Sequence, residues 1–197
     1  MEEVFVANMK ALRKWLEAHH QQTESVWLCR WKKGKGEEYI TYGELVDELL
    51  CWGWVDSLPR SKDDARTLIR ISPRHPKSNW SAINKAKVDR LLGEGRMQPS
   101  GMQLVELAKA NGQWDFLNEV EALEIPVDLQ QAFQIFPDAQ QYFERFPNSS
   151  KRGILEWIKS AKQPATRQKR IAETVAKAAR NRKANHPAGR DAGPKTP

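Results

Sequence analysis

The segment from Trp54 to Ser72 most constrains the fold of this chain, because it contains two strand-like runs around a short polar turn. In the second run, Ile69 and Ile71 alternate with Arg70, so that one face is apolar and the other is polar. Two such runs joined by the sequence SKDDA predict a β-hairpin with one buried face.

Three further elements are predicted in the first hundred residues. Apolar residues from Phe5 to Leu16 recur at helical spacing, so residues 5–20 are predicted to form an amphipathic helix. The aromatic and β-branched run at residues 25–33 predicts a strand. Thr41 and Glu44 have the spacing of a capping box, which predicts a helix that ends at Gly53. Residues 1–100 are therefore predicted to form a small antiparallel or mixed sheet with flanking helices.

The sequence after residue 100 is predicted to be helical throughout. Prolines mark the expected boundaries between helices at Pro126, Pro137, Pro147 and Pro164. The expected organisation is an α+β domain over residues 1–100 and an all-helical module over residues 101–185. Residues 186–197 have no apolar periodicity and are expected to form a disordered tail.

Composition narrows the class of protein. The two cysteines, Cys29 and Cys51, lie in apolar runs without metal-ligand spacing, which predicts buried free thiols and a reducing compartment. No apolar window has the length of a membrane span, and the amino terminus does not resemble a secretion signal, so a cytoplasmic location is expected.

The net charge of +7 is distributed in blocks, with residues 59–98 and 149–197 basic and the other two blocks acidic. This pattern fits pairing between blocks as well as an anionic partner.

A candidate binding site lies where the Pro-rich loop after the hairpin meets the next helix. Arg74, Lys77 and Ser78 precede Ser81, the predicted cap of that helix. A helix start offers unpaired backbone N–H groups and partial positive charge, which favour phosphate, sulfate or carboxylate. Further residues could contribute positive charge, a nearby carboxylate or aromatic walls: Arg60, Arg66, Arg70, His75, Asp56, Trp52, Trp54 and Trp80. In the alternative interpretation, Arg74 and Asp56 form a structural ion pair, Ser81 is only a cap and the tryptophans belong to the core.

Several long motifs resemble one bacterial family. They are GWVDS at residues 53–57, SPRHPKSNWSAIN at 72–84, GRMQPSG at 95–101 and ILEWIKSAKQPATRQKRIAETV at 154–175. Together they resemble the YdeI/OmpD-associated family, also described as bacteriocin-protection proteins, along most of the chain to about residue 185. Seven residues match the family motif: Asp56, Arg74, Pro76, Ser78, Trp80, Ser81 and Asn84.

The resemblance implies an α+β amino-terminal part, a helical carboxy-terminal module and a role in tolerance of antimicrobial or bacteriocin-like peptides and envelope stress. It implies no established catalytic mechanism and no cofactor. Combined with the residue pattern, it predicts a non-enzymatic protein that binds a small anion or a peptide-related partner. The predicted ligand-binding residues are Asp56, Arg74, Lys77, Ser78, Trp80, Ser81 and Asn84.

Two other functions are compatible with the sequence. The basic residues between Arg167 and Lys183 could bind nucleic acid, an acidic partner or the acidic block at residues 99–148. No aromatic residues for base stacking lie among them. An enzyme could use Asp56 as a base and Arg74 as an anion clamp. The sequence contains no glycine-rich phosphate loop, zinc-ligand spacing or nucleophile elbow. It therefore predicts no catalytic residues, metal or cofactor, and it leaves the oligomeric state open.

Overall fold

A computed structural model describes residues 1–36 and 38–186. The chain divides into two compact units, and the boundary falls between Phe116 and Leu117. The first unit extends past residue 100, where the sequence pattern places the boundary, because the helix that follows residue 98 packs within this unit.

The first unit contains a four-stranded mixed sheet. Its strands are β1 (Glu3–Phe5), β2 (Val26–Trp31), β3 (Trp54–Ser61) and β4 (Arg66–Pro73), in the spatial order β1-β2-β4-β3. β1 pairs with β2 in parallel, whereas β4 pairs antiparallel with both β2 and β3. The predicted α+β class and the predicted hairpin of β3 and β4 are confirmed.

The first strand corrects the sequence-based assignment of the amino terminus. The apolar spacing predicts that Phe5 begins a helix, but Phe5 lies in β1 opposite Cys29 of β2. The helix starts later because the side chain of Asn8 accepts a hydrogen bond from the Ala11 backbone N–H and caps it. The ring of Phe5 contacts Trp31 edge to face, with 5.2 Å between the ring centroids.

Four long helices complete the first unit. They are α1 (Met9–His19), α2 (Tyr42–Trp52), α3 (Ala82–Gly93) and α4 (Pro99–Ala110). Thr41 and Glu44 form the predicted capping box of α2, and Gly53 ends that helix with a left-handed φ of 79°. One apolar core joins α1, α2 and the sheet, and a second joins α2, α3 and α4. Cys29 and Cys51 are buried free thiols, as predicted.

Two buried carboxylates on α2 bind cations from neighbouring segments. Asp47 accepts from Lys87 and Arg90 of α3 at 2.5 Å each. Glu48 accepts from Arg13 of α1 at 3.0 Å and from Arg96 at 3.2 Å. Because several of these cations come from the basic block at residues 59–98, part of its charge stabilises the fold internally.

Helix α4 packs closely against α2 through a glycine. A Cβ atom added at Gly101 would overlap the backbone carbonyl oxygen of Cys51. Only a residue without a side chain allows this backbone approach. Hence α4 belongs to the core of the first unit and not to a separate module.

The second unit is helical, as predicted. Its helices are α5 (Asn118–Glu121), α6 (Val127–Ile135), α7 (Pro137–Arg145), α8 (Asn148–Lys159) and α9 (Pro164–Ala178). Pro126 and Pro147 occupy the N-cap positions of α6 and α8, and Pro137 and Pro164 lie in the first turns of α7 and α9. The core of this unit contains Leu129, Phe133, Phe143 and Ile158.

No helix within the described ranges is long and apolar enough to cross a membrane. Of the predicted disordered tail, residues 187–197 lie outside the described residues.

Candidate functional site

The loop from Arg74 to Trp80 connects the last strand to α3. Its beginning is fixed by a backbone hydrogen bond from the Arg74 N–H to the Gly53 carbonyl oxygen, at 2.9 Å. Its end is fixed by Ser81, whose hydroxyl oxygen accepts from the Asn84 backbone N–H at 3.3 Å. The predicted cap at Ser81 is therefore confirmed, and the loop lies between two anchored ends.

The guanidinium of Arg74 is buried at this loop. Arg74 is only 6% exposed, and its guanidinium carbon lies 3.7 Å from the centre of the Trp80 ring. One terminal nitrogen, Nη2, donates to the Asn79 carbonyl oxygen at 2.5 Å. The Nε donor is buried and has no hydrogen-bond partner in the described structure. Arg74 is thus held by a ring and a carbonyl, while one donor stays unsatisfied.

No carboxylate neutralises this cation among residues 1–36 and 38–186, because no acidic oxygen there lies within 4.0 Å of an Arg74 nitrogen. Burial lowers the pKa of Arg74 to about 10. The guanidinium is still charged at neutral pH. A buried positive charge without a described counterion therefore lies beside the start of α3.

Asp56 does not pair with Arg74 in this part of the chain. Its carboxylate oxygen Oδ2 instead accepts from the Tyr42 hydroxyl at 2.8 Å. Burial, and then this hydrogen bond, raises the pKa of Tyr42. The alternative interpretation of Arg74 and Asp56 as a structural ion pair is consequently wrong.

The other predicted site residues occupy different positions around the loop. Lys77 is exposed, and its backbone N–H donates to Nδ1 of His75 at 3.1 Å. Ser78 is half-buried, and its backbone N–H donates to the His75 carbonyl oxygen at 2.9 Å. Asn84 is half-buried in the first turn of α3. The structure brings Arg74 against Trp80 directly. Among the described residues, Arg74 forms no hydrogen bond, ion pair or ring contact with Lys77 or Ser78.

Two of the three tryptophans proposed as walls belong elsewhere. Trp54 lies in the core, with its ring centroid 5.4 Å from that of Trp15. Trp52 donates its indole N–H to Glu48 at 3.3 Å. These positions follow from β3 and α2, which direct both rings towards α1 and its neighbours. Trp80 alone of the three contacts Arg74.

Sequence reasoning missed the segment that supports this loop from behind. After α4, Asn111 donates its side-chain amide to the Pro76 carbonyl oxygen at 3.0 Å, and the Gln113 carbonyl accepts from the Trp80 backbone N–H at 3.3 Å. The ring of Trp114 lies 5.1 Å from that of Trp80. No local pattern marks residues 111–114 as neighbours of the loop, since they are distant from it in the sequence.

The predicted basic face of α9 is partly engaged within the second unit. Arg167 forms a two-point ion pair with Asp128 of α6, at 2.6 and 2.9 Å. Arg170 lies over the Trp157 ring at 5.1 Å and donates to the Trp157 carbonyl oxygen. Lys177 pairs with Glu173 at 3.2 Å. These three cations stabilise the helical unit, so fewer are available to an outside partner than the sequence indicated.

The comparisons with known proteins give two matches along the chain. The boundary between the two structural units falls in the gap between these matches. Residues 122–181, which include α6 to α9, match the family model described as bacteriocin-protection, YdeI or OmpD-associated. The match to this family covers the helical second unit and not the whole chain. Residues 4–104 match a second model, a domain of unknown function called DUF8412. The amino-terminal motifs that resemble the YdeI/OmpD-associated family therefore fall within this second match. No curated protein and no solved structure matches the chain.

Proposed function

We propose that this YdeI/OmpD-associated protein is a non-enzymatic binding protein whose first unit captures a small anion at Arg74. The observation that carries the proposal is the buried guanidinium of Arg74, which has an unpaired Nε donor and no carboxylate partner among the described residues. Such a group has lost most of its hydration without gaining a counterion.

The energetics favour an added anion. Removing a charge from water costs several kcal/mol in a protein interior, and this cost is offset only by good charge and hydrogen-bond partners. The Trp80 ring and the Asn79 carbonyl oxygen offset part of it. An oxyanion that accepts from Nε would supply both the missing hydrogen bond and the missing charge.

The neighbouring start of α3 supports the same ligand class. Backbone N–H groups and partial positive charge at a helix amino terminus favour phosphate, sulfate and carboxylate groups. The exposed Lys77 and the half-buried Ser78 belong to the loop that leads to this helix. Together with Trp80, Ser81 and Asn84 they form the proposed surroundings of the anion. Asp56, the remaining residue of the predicted site, is bonded to the Tyr42 hydroxyl.

The biological setting is also a proposal. The description of the matched family names bacteriocin protection, and we propose that anion capture serves tolerance of antimicrobial peptides and envelope stress. Two buried free thiols support a reducing compartment and hence a cytoplasmic location.

A thermal-unfolding screen of the full chain tests the proposal. Sulfate, phosphate, acetate and a panel of phosphorylated and carboxylated metabolites are compared with chloride at equal ionic strength. A ligand present at 100 times its Kd stabilises the folded state by about 2.7 kcal/mol, which raises the melting temperature measurably. We expect this rise in the wild type and not in Arg74→Met.

Arg60→Met is the matched control. The structure places Arg60 opposite Leu68, away from the end of β4 that leads to Arg74. Arg60 is exposed and has no acidic partner among the described residues. It should keep the full rise. If no anion in the panel stabilises the wild type, or if Arg74→Met is stabilised equally, the proposed site is wrong.

A further inference from the structure

An apolar groove runs between α6 and α9 in the second unit. Its volume is about 740 Å³, and its floor includes Ile171 and Val175 of α9. Small residues on both helices, among them Ala132 and Ala176, leave the groove open. Neither the anion proposed for the first unit nor Arg74 has any part in this groove.

Large apolar side chains are exposed at one side of the groove. Ile135 at the end of α6 is 73% exposed, and Phe136, which follows it, is 52% exposed. Contiguous exposed apolar residues beside a concave surface are typical of a site for another molecule, because their exposure to water is unfavourable.

The charges at the two ends of the groove differ. At the end near the start of α9, Arg167 is neutralised by Asp128. At the other end Arg180 is exposed, and no acidic oxygen of the described residues lies within 4.0 Å of its guanidinium. Arg182 follows two residues later and is likewise exposed. The groove is therefore apolar along its length and positive at one end, which favours an amphipathic partner with acidic residues there.

The length of the groove indicates the kind of partner. Its wall follows α9 from Pro164 to beyond Ala178. At 1.5 Å per residue this is about 20 Å, or about four helical turns. A partner helix of similar length would place apolar residues at positions i, i+3 or i+4, and i+7 along the floor.

We propose that the groove between α6 and α9 binds an acidic amphipathic helix of a partner protein. Apolar side chains of the partner fill the space above Ile171, Val175 and the alanines, and its acidic residues face Arg180. This gives the second unit a protein-binding role that is separate from anion capture by the first.

Selection from a displayed library of random helical peptides, with the full chain as bait, tests this inference even while the natural partner is unidentified. Selected peptides should combine helically spaced Leu, Ile or Phe with net negative charge. Their affinities are then measured by fluorescence anisotropy against the wild type and variants of the groove.

Two matched pairs of variants separate the groove from its surroundings. Ile135→Ser should weaken binding at least about tenfold, whereas Val127→Ser, equally exposed on the same helix but outside the groove, should change it by less than about twofold. Arg180→Glu should also weaken binding about tenfold. Lys169→Glu, with the same change of charge at an exposed position of α9 outside the groove, should have little effect.

Four outcomes would overturn the inference. The selection yields no peptides that depend on Ile135, or it yields basic peptides. Alternatively, the groove binds a fluorescent fatty acid and no peptide, which would make it a lipid site. Finally, sedimentation shows a dimer that Ile135→Ser dissociates, which would make the groove a contact between two copies of the chain.

Discussion

The guanidinium of Arg74 lies 3.7 Å from the centre of the Trp80 ring, and within the described residues this ring takes the place that a carboxylate usually has beside a buried arginine. The ring offers a negative face but cannot accept the Nε hydrogen. The contact therefore positions the charge without supplying the hydrogen-bond acceptor that the buried Nε lacks.

Replacing Arg74 by methionine should leave the stability of the anion-free protein nearly unchanged. The variant loses the ring contact and one charged hydrogen bond, but it also loses the cost of burying a charge. We expect the free energy of unfolding in chloride buffer to change by no more than about 1 kcal/mol. Urea denaturation monitored by tryptophan fluorescence measures it. A loss above about 3 kcal/mol would show that Arg74 mainly supports the fold.

Sulfate affinity should be independent of pH between about 6 and 8.5. The lowered pKa of Arg74, about 10, still lies above this range, so the guanidinium carries its full charge throughout. The sulfate dianion does not change its charge there either. Titration calorimetry at several pH values checks this. An affinity that changes more than about tenfold across this range would mean that a group other than Arg74 carries the binding.

The ion pairs of Asp47 should stabilise the protein at neutral pH and not in acid. Burial acts to raise the pKa of Asp47, but hydrogen bonds from Lys87 and Arg90 outweigh it and the pKa falls below its usual value. A depressed carboxyl pKa means that this stability is present above the unfolded-state pKa, near 3.9, and is lost as pH falls through the folded-state value.

Asp47→Asn is therefore expected to cost about 2 kcal/mol at pH 7, less than a fully buried pair because Arg90 is 45% exposed. Below about pH 3 the variant and the wild type should have similar stabilities. Urea denaturation at pH 7 and below about pH 3 measures both stabilities. If the variant is less stable than the wild type by the same amount at both pH values, Asp47 contributes by packing and not by charge.

Gly101→Ala should destabilise the first unit strongly, because the new methyl group would overlap the Cys51 carbonyl oxygen. We expect a cost of about 3 kcal/mol in the free energy of unfolding, because the overlapped atoms belong to the backbone of α2 and cannot move aside. Gly93→Ala is the control, since a Cβ atom there meets no neighbour within 4 Å. It should be neutral or slightly stabilising. If both variants unfold at the same urea concentration, α4 does not pack on α2 as described.

Elements with strong local patterns were predictable from the sequence. The hairpin of β3 and β4 follows from period-two alternation, and the caps at Thr41 and Ser81 follow from helix-start chemistry. β1 was missed because three residues are too few to establish a period, and its strand conformation depends on pairing with β2.

The candidate site was predictable only in part. The position of Arg74 ahead of the Ser81 cap could be inferred, because both are close in the sequence. Its burial against Trp80 and the pairing of Asp56 with Tyr42 could not, since these depend on how β3, α2 and the loop pack. The ion pair of Arg167 was not predictable for the same reason, because its partner Asp128 lies on another helix.

The central claim is that an anion binds at Arg74, and anomalous diffraction from crystals soaked in selenate tests it most directly. Selenate has the shape and charge of sulfate, and its selenium atom is located without ambiguity. We expect a selenium peak whose oxygen accepts from Nε of Arg74 in the wild type, and no such peak in Arg74→Met. A wild-type crystal with this loop open to solvent, selenate at other positions and none at Arg74 would contradict the claim.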